Sequence, residues 1–110
     1  MELYKVEEID ASMLKNMIES KKDFILLDVR TDMEVLVSSI PSSVHIPMND
    51  IPGRIKDLEK NKEIIVQCKS GKRSAKVCEY LMKNDFKKVK NLHGGILAWA
   101  SEIDPSIIVR

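Results

Sequence analysis

The residues best suited to chemistry lie in one run, Ile64-Ile65-Val66-Gln67-Cys68-Lys69-Ser70-Gly71-Lys72-Arg73-Ser74. Its single cysteine follows an apolar stretch that reads as a buried strand and precedes a stretch that reads as a helix. A tight loop between two such elements can turn several backbone N–H groups toward one anionic point. Gly71 permits the backbone conformation that such a cradle needs. Lys69, Lys72 and Arg73 add positive charge, Lys76 follows one turn later, and no acidic residue lies between Cys68 and Glu79. A free cysteine titrates near 8.5, and surroundings of this kind bring that to roughly 3.5–7.5. The chemistry implied is nucleophilic. Cys68 is the attacking thiolate, and Lys69, Ser70, Gly71, Lys72, Arg73 and Ser74 bind its charge and an anionic substrate. A cysteine at a strand end also fits as a small buried apolar residue, and a basic stretch by itself reads as a solvated face. It is the sequence of strand, cysteine, basic loop and helix that favours function.

The elements that must position this loop can be read from apolar patterning. Phe24-Ile25-Leu26-Leu27 and Ile64-Ile65-Val66 are apolar without alternation, as expected of strands covered on both faces. Val44-His45-Ile46, stopped by Pro47, is a third strand candidate, Lys88-Val89-Lys90-Asn91-Leu92 a fourth, and Leu3-Tyr4-Lys5-Val6 a fifth. Leu14, Met17 and Ile18 mark one face of a helix capped by Asp10. Thr31-Asp32-Met33-Glu34 has the form of a capping box. Val77, Cys78, Leu81 and Met82 form the stripe of a helix from about 70–73 to 83. Ile96, Leu97 and Trp99 belong to a last helix after Gly94-Gly95. A further helix over 51–58 carries Pro52 and Gly53 at its start, where proline is tolerated. Strands alternating with short helices indicate an α/β domain with a mainly parallel sheet. Ligands of such sheets bind beyond the carboxyl ends of the strands, where Cys68 falls. The chain, 1–110, reads as one domain, with no repeat or linker.

At this point the sequence resembles a known family. Cys68-Lys69-Ser70-Gly71-Lys72-Arg73-Ser74 looks like the active-site loop of rhodanese domains, whose first residue carries sulfur as a persulfide. Leu27-Asp28-Val29-Arg30 followed by Glu34, then Ile40-Pro41 and His45-Ile46-Pro47, then Leu92-His93-Gly94-Gly95 with Trp99, resemble the family's other signatures in the same order. The resemblance implies a three-layer α/β/α fold with a five-stranded sheet. It also implies a sulfurtransferase that takes sulfur from thiosulfate or a protein persulfide onto Cys68 and passes it to a thiophilic acceptor, with no metal or cofactor. The ending from Ala98-Trp99 to Ile103-Asp104-Pro105-Ser106 is similar to rhodanese domains fused behind adenylyltransferases that supply sulfur to molybdopterin or thiamin precursors. Two departures stand out. Ser38-Ser39 replaces a usual Gly-His and Ser42-Ser43 a usual Gly-Ala, which bears on the turn before the third strand. Thiosulfate-using members tend to carry Arg where Lys69 stands and Arg or Thr where Ser74 stands. Lysine keeps the charge without the bidentate fork.

Two rival functions follow from the same resemblance. Cysteine phosphatases of this fold have five residues between Cys and Arg, whereas here Lys69, Ser70, Gly71 and Lys72 make four. The shorter loop suits a sulfur atom better than a tetrahedral phosphate. Some rhodanese-like domains act only in recognition, and retention of Cys68 with its basic loop counts against that role. The lysines at 83, 87, 88 and 90 could dock an acidic partner but fit a solvated edge better. Gly71-Lys72 resembles a nucleotide-binding P-loop only faintly, since the leading glycine is missing. A zinc site from Cys68, Cys78, His45 and His93 lacks any close ligand pair.

Other residues have quieter readings. Asp28 and Arg30 are expected to support the site as an ion pair, because i, i+2 residues of a strand share a face. Cys78 belongs to a helix stripe and reads as core. Trp99 reads as core packing, His93 as a turn residue, and Gly94-Gly95 as a place where the chain passes close to the cysteine loop.

Composition sets the outer limits. The 110 residues are 32% charged and 44% apolar, with a formal net charge of +1. Such a balance provides no field for nucleic acid or a membrane surface. Residues 1–5 lack the apolar segment of a signal peptide, so a cytoplasmic protein is expected. Two cysteines cannot build a disulfide framework, and an exposed cysteine in a reducing compartment points to chemistry.

Overall fold

Apolar runs without alternation become the centre of a sheet, because only there are both faces of a strand covered. In the computed structural model, which describes residues 4–110, those runs are β2 (Phe24–Asp28) and β4 (Glu63–Gln67), paired in parallel from Phe24 with Glu63 to Asp28 with Gln67. β3 (Val44–His45) flanks β2, β5 (Val89–Leu92) flanks β4, and β1 (Glu7–Ile9) lies outside β5. The order β1-β5-β4-β2-β3 is wholly parallel.

Helices cover both faces. On one, α3 (Ile51–Arg54) and α4 (Lys72–Lys83) bring Ile51, Val77, Cys78 and Leu81 against Leu27, Ile64, Val66 and Val89. On the other, α1 (Ala11–Glu19) and α5 (Gly95–Glu102) bring Ala11, Leu14, Ile96 and Trp99 against Leu26, Ile65 and Leu92. Alternate residues of β4 thus serve opposite cores, as the twofold period of a strand requires. The five-stranded sheet between two helical layers is the expected α/β/α fold. No helix of the described residues is long and apolar enough to cross a membrane.

Local signals hold with few exceptions. Asp10 caps α1, its Oδ1 accepting the Met13 N–H at 2.8 Å. The capping box closes at the start of α2 (Asp32–Val37), where the Glu34 amide donates to the Thr31 hydroxyl and Glu34 Oε1 accepts the Thr31 N–H. The first strand is displaced from the expected 3–6 to Glu7–Ile9. Leu3 lies outside the described residues, and among the described ones Glu7–Ile9 finds parallel partners on β5. The expected helix over 51–58 is broken into α3 and a 3-10 turn, Ile55–Asp57. Two lysines hold Glu63, Lys22 at 2.9 Å and Lys90 at 3.2 Å, so one member of the 83–90 lysine stretch is engaged in an ion pair between β5 and the start of β4.

The serines before β3 behave in an instructive way. Ser42 stands where a glycine is usual and has φ of +71°, a left-handed conformation that costs a side-chain-bearing residue about 1–2 kcal/mol. The turn keeps its glycine geometry without its glycine, held in part by the Ser43 amide and hydroxyl, both donating to the Ile40 carbonyl. Ser42→Gly is therefore expected to stabilise the protein. After the entropy cost of glycine, the gain should be about 0.5–1 kcal/mol in urea denaturation. A loss of stability would contradict the strain.

Candidate active site

β4 ends at Gln67, and Cys68 is the first residue beyond it. The loop then climbs to Gly71, which caps α4 with φ of +105°. That left-handed turn folds the loop back over the sulfur. The Gly71 N–H donates to Cys68 Sγ at 3.1 Å. From the first turn of α4, Ser74 donates its N–H at 3.4 Å and its hydroxyl at 3.3 Å to the same atom. The cradle expected of a strand–loop–helix junction is present.

Its carbonyls are turned away by a second helix. The amides of Ile96 and Leu97 donate to the carbonyls of Cys68 and Lys69 at 2.9 and 3.1 Å. These are N–H groups that the start of α5 would otherwise leave unpaired. The approach is so close that a Cβ on Gly95 would lie 2.4 Å from the Lys69 carbonyl oxygen and 2.5 Å from that of Cys68. The Gly94-Gly95 step passes the cysteine loop closely, as its composition suggested.

The electrostatics differ from the expectation in their source. Cys68 is buried, at 1% exposure, rather than exposed. Burial pushes its thiol up. Hydrogen bonds from the Ser74 hydroxyl and amide, and from the amides of Gly71 and Ser70, more than offset this, so the thiol lies below its ordinary value. The donors that reach Sγ are backbone and hydroxyl groups, not the lysines expected to supply charge. Lys69 is half-buried and Lys72 exposed. Arg73 is engaged elsewhere. Its guanidinium takes both oxygens of Glu34 at 2.7 and 2.8 Å. The absence of acidic residues along the loop thus hid one arriving through space. Glu34, already the capping-box residue of α2, is held down to about 2, first by this fork and then by Thr31.

Asp28 and Arg30 do form an ion pair, buried at 0% and 1% exposure. Arg30 Nη2 donates to Asp28 Oδ2 at 2.8 Å and Arg30 Nε to Asp28 Oδ1 at 3.0 Å. β2 ends at Asp28, but Val29 still bonds to Gln67 and Met48 on either side, so Asp28 and Arg30 share a face as expected. The chain bends at Arg30, whose amide also donates to Asp28 Oδ1. Arg30 Nη2 reaches on to the Ser38 carbonyl at 2.7 Å. The pair thus ties both ends of α2 to the sheet, and α2 carries the partner of Arg73. Cys78, in contrast, is wholly buried in the core. Burial, together with the charges of Glu8, Cys68 and Glu79, pushes its thiol up to about 12.

Two residues around the loop escaped the sequence reading. Asn91 is 1% exposed on β5 and bonds to Ser74 and to the Gly71 carbonyl. Glu8 on β1 accepts from Asn91 and meets His93 Nδ1 at 3.1 Å. A signal for Asn91 existed. It shares a strand face with Val89, which packs in the α4-side core, so an amide there stands out.

The pattern of the rhodanese-like domain family matches residues 10–102 of the chain. A Bacillus subtilis (strain 168) protein named "Putative sulfurtransferase YtwF" is 45% identical over 100 residues, spanning 91% of this chain and 96% of that protein. The Arabidopsis thaliana "Adenylyltransferase and sulfurtransferase MOCS3" is 28% identical over 114 residues, which cover 89% of this chain and 25% of the larger protein. This similarity accords with the one noted for fused domains. The crystal structure of a rhodanese-like domain protein from Staphylococcus aureus superposes with a TM-score of 0.83 at 35% identity, covering 96% of this chain and 99% of that one.

Two outcomes are expected from this geometry. Ser74→Ala removes the hydroxyl donor on the sulfur, so the pH midpoint for alkylation of Cys68 by iodoacetamide should rise. An unchanged midpoint would mean that the backbone amides suffice. For Glu34, the folded value near 2 lies below the ordinary 4.5. Its contribution to stability is therefore complete above about pH 4.5 and is lost as pH falls toward 2. The stability advantage of the native protein over Glu34→Gln, read by urea denaturation, should shrink across that window. An advantage constant from pH 7 to 2 would exclude the charged fork as its source.

Proposed function

Because the chain belongs to the rhodanese-like family, with sulfurtransferases among its named relatives, we propose that residues 1–110 form one domain that carries sulfur as a persulfide on Cys68. The observation that carries this reading is the set of hydrogen-bond donors converging on one sulfur atom at the end of β4. Donors so placed stabilise a thiolate and equally the terminal anion of a persulfide.

The reaction runs in two displacements. The Cys68 thiolate attacks the outer sulfur of a small anionic donor such as thiosulfate, or of another protein's persulfide. A new S–S bond forms as the old one breaks. Its electron pair leaves with sulfite or with the donor's thiolate. An acceptor nucleophile (a protein thiolate, or cyanide in an assay) then attacks the terminal sulfur, and the S–S bond breaks to return Cys68 as thiolate. Electrons and protons balance without a metal or cofactor. Lys69, Ser70 and Lys72 at the loop are assigned to the incoming donor's charge. Gly71 and Ser74 hold the sulfur itself. Arg73 shapes the loop through Glu34, and Asp28 with Arg30 supports α2 behind it. Two cysteines without a disulfide fit a reducing compartment, and the cytoplasm is the location assigned.

The four-residue spacing from Cys68 to Arg73 speaks against phosphate as the substrate, and the intact donor set speaks against a purely recognition role. The test is intact mass after incubation with thiosulfate and, separately, with a persulfide-bearing protein. Cys68 should gain one sulfur atom that cyanide removes, and Cys68→Ser should gain none. No adduct from either donor would leave recognition as the function. Cys68-dependent hydrolysis of an aryl phosphate would establish the phosphatase instead.

A further inference from the structure

One buried amide touches two of the residues that supply donors to the sulfur, Gly71 and Ser74. Asn91 Nδ2 donates to the Gly71 carbonyl at 3.0 Å and to Glu8 Oε2 at 2.9 Å, while its Oδ1 accepts the Ser74 hydroxyl. Both N–H bonds of its amide and its carbonyl oxygen are therefore engaged. Glu8 decides which way round the amide lies. A carboxylate can only accept, so it requires the NH2 end, and Oδ1 must then face Ser74. We propose that Asn91 is a positioning residue: its Nδ2 fixes the Gly71 carbonyl and with it the aim of the Gly71 amide at the Cys68 sulfur, while its Oδ1 competes with that sulfur for the one Ser74 hydroxyl proton.

The physical basis lies in how little freedom each donor has. Gly71 sits at φ of +105°, where a glycine has a wide choice of backbone angles. A bond on its carbonyl restricts the neighbouring peptide planes and with them the aim of its N–H. The Ser74 hydroxyl has one proton and two acceptors within reach, Asn91 Oδ1 and Cys68 Sγ. In the neutral thiol form, the thiol hydrogen can be given to Ser74 Oγ while the hydroxyl donates to Asn91. When the sulfur becomes an anion, the hydroxyl turns its proton to Sγ, and Oγ is already in place for it. Asn91 thus bonds Oγ in the thiol form alone, and in the anion form the contact it keeps on the cradle is the one to the Gly71 carbonyl. Its own position is set by β5 and, through Glu8, by β1, two strands away from the cysteine's own.

The inference deepens the sulfur-carrier reading and rests on it for its meaning, but its test reads the thiol directly. The rate of Cys68 alkylation is measured against pH in the full chain, with thermal melting as the check on folding. In a Ser74→Ala background, where no hydroxyl proton is contested, Asn91→Ala should raise the midpoint by about one unit, a tenfold smaller thiolate fraction below the midpoint. With Ser74 present the same substitution should raise it by clearly less, because loss of Oδ1 also frees the Ser74 proton for the sulfur. Asn91→Asp keeps the shape, replaces the donor end with an acceptor and adds charge beside Ser74. It should raise the midpoint further than Asn91→Ala does, and it supplies the reading if the alanine variant does not fold. An unchanged midpoint on adding Asn91→Ala to a folded Ser74→Ala protein, or an equal shift with and without the Ser74 hydroxyl, overturns the inference. Failure of the native protein to take up sulfur would instead overturn the carrier reading and leave the alkylation result standing.

Discussion

A sulfur anion at the end of β4 has to be stabilised without water. Cys68 is almost fully covered, and burial alone favours the neutral thiol. What reverses the balance is hydrogen bonding from fixed donors, the Gly71 amide and the Ser74 amide and hydroxyl. Backbone donors at a loop–helix junction cost little reorganisation when charge appears, since they already point at the atom that will carry it. Much of the surrounding structure can be understood as keeping them pointed there.

Cys78 shows what happens without them. It lies ten residues further along the same segment, on the apolar stripe of α4 with Val77 and Leu81. Its exposure is as low, and burial together with the charges of Glu8, Cys68 and Glu79 drives its thiol up to about 12. Low exposure does not distinguish the two cysteines. What Cys68 has is a chain reversal at a left-handed glycine that brings N–H groups onto the sulfur.

Three contacts from separate parts of the chain converge on that reversal. α5 takes the carbonyls of Cys68 and Lys69, so the loop's carbonyls and amides face opposite ways. α2, tied to the sheet by the buried Asp28–Arg30 pair, presents Glu34 to Arg73. Asn91 of β5 holds Gly71 and Ser74. The charged residues therefore contribute more to shape than to field. Arg73 has its charge met by Glu34, and Arg30 by Asp28. This arrangement has a physical rationale: a paired guanidinium is an anchor with defined geometry, whereas a free surface lysine is a mobile, screened charge.

Much of this was legible in the sequence, and for local reasons. Two unalternating apolar runs marked β2 and β4 as central strands, Asp10 and Thr31 marked helix starts, and the order of strand, cysteine, glycine and helix placed Cys68 at a carboxyl-terminal strand end. Each rests on neighbours a few residues apart, so periodicity and capping chemistry suffice to read it. The same locality limits the reading. The position of β1 depended on which residues could pair with β5, and the loop's electrostatics depended on Glu34, 39 residues away from Arg73. Asn91 reached the cysteine loop only because β5 lies beside β4 in the sheet. The sequence by itself determined which thiol could be activated and on what kind of fold. Only the tertiary structure decided what activates it, because hydrogen-bond direction and charge pairing depend on distances that chain order does not carry.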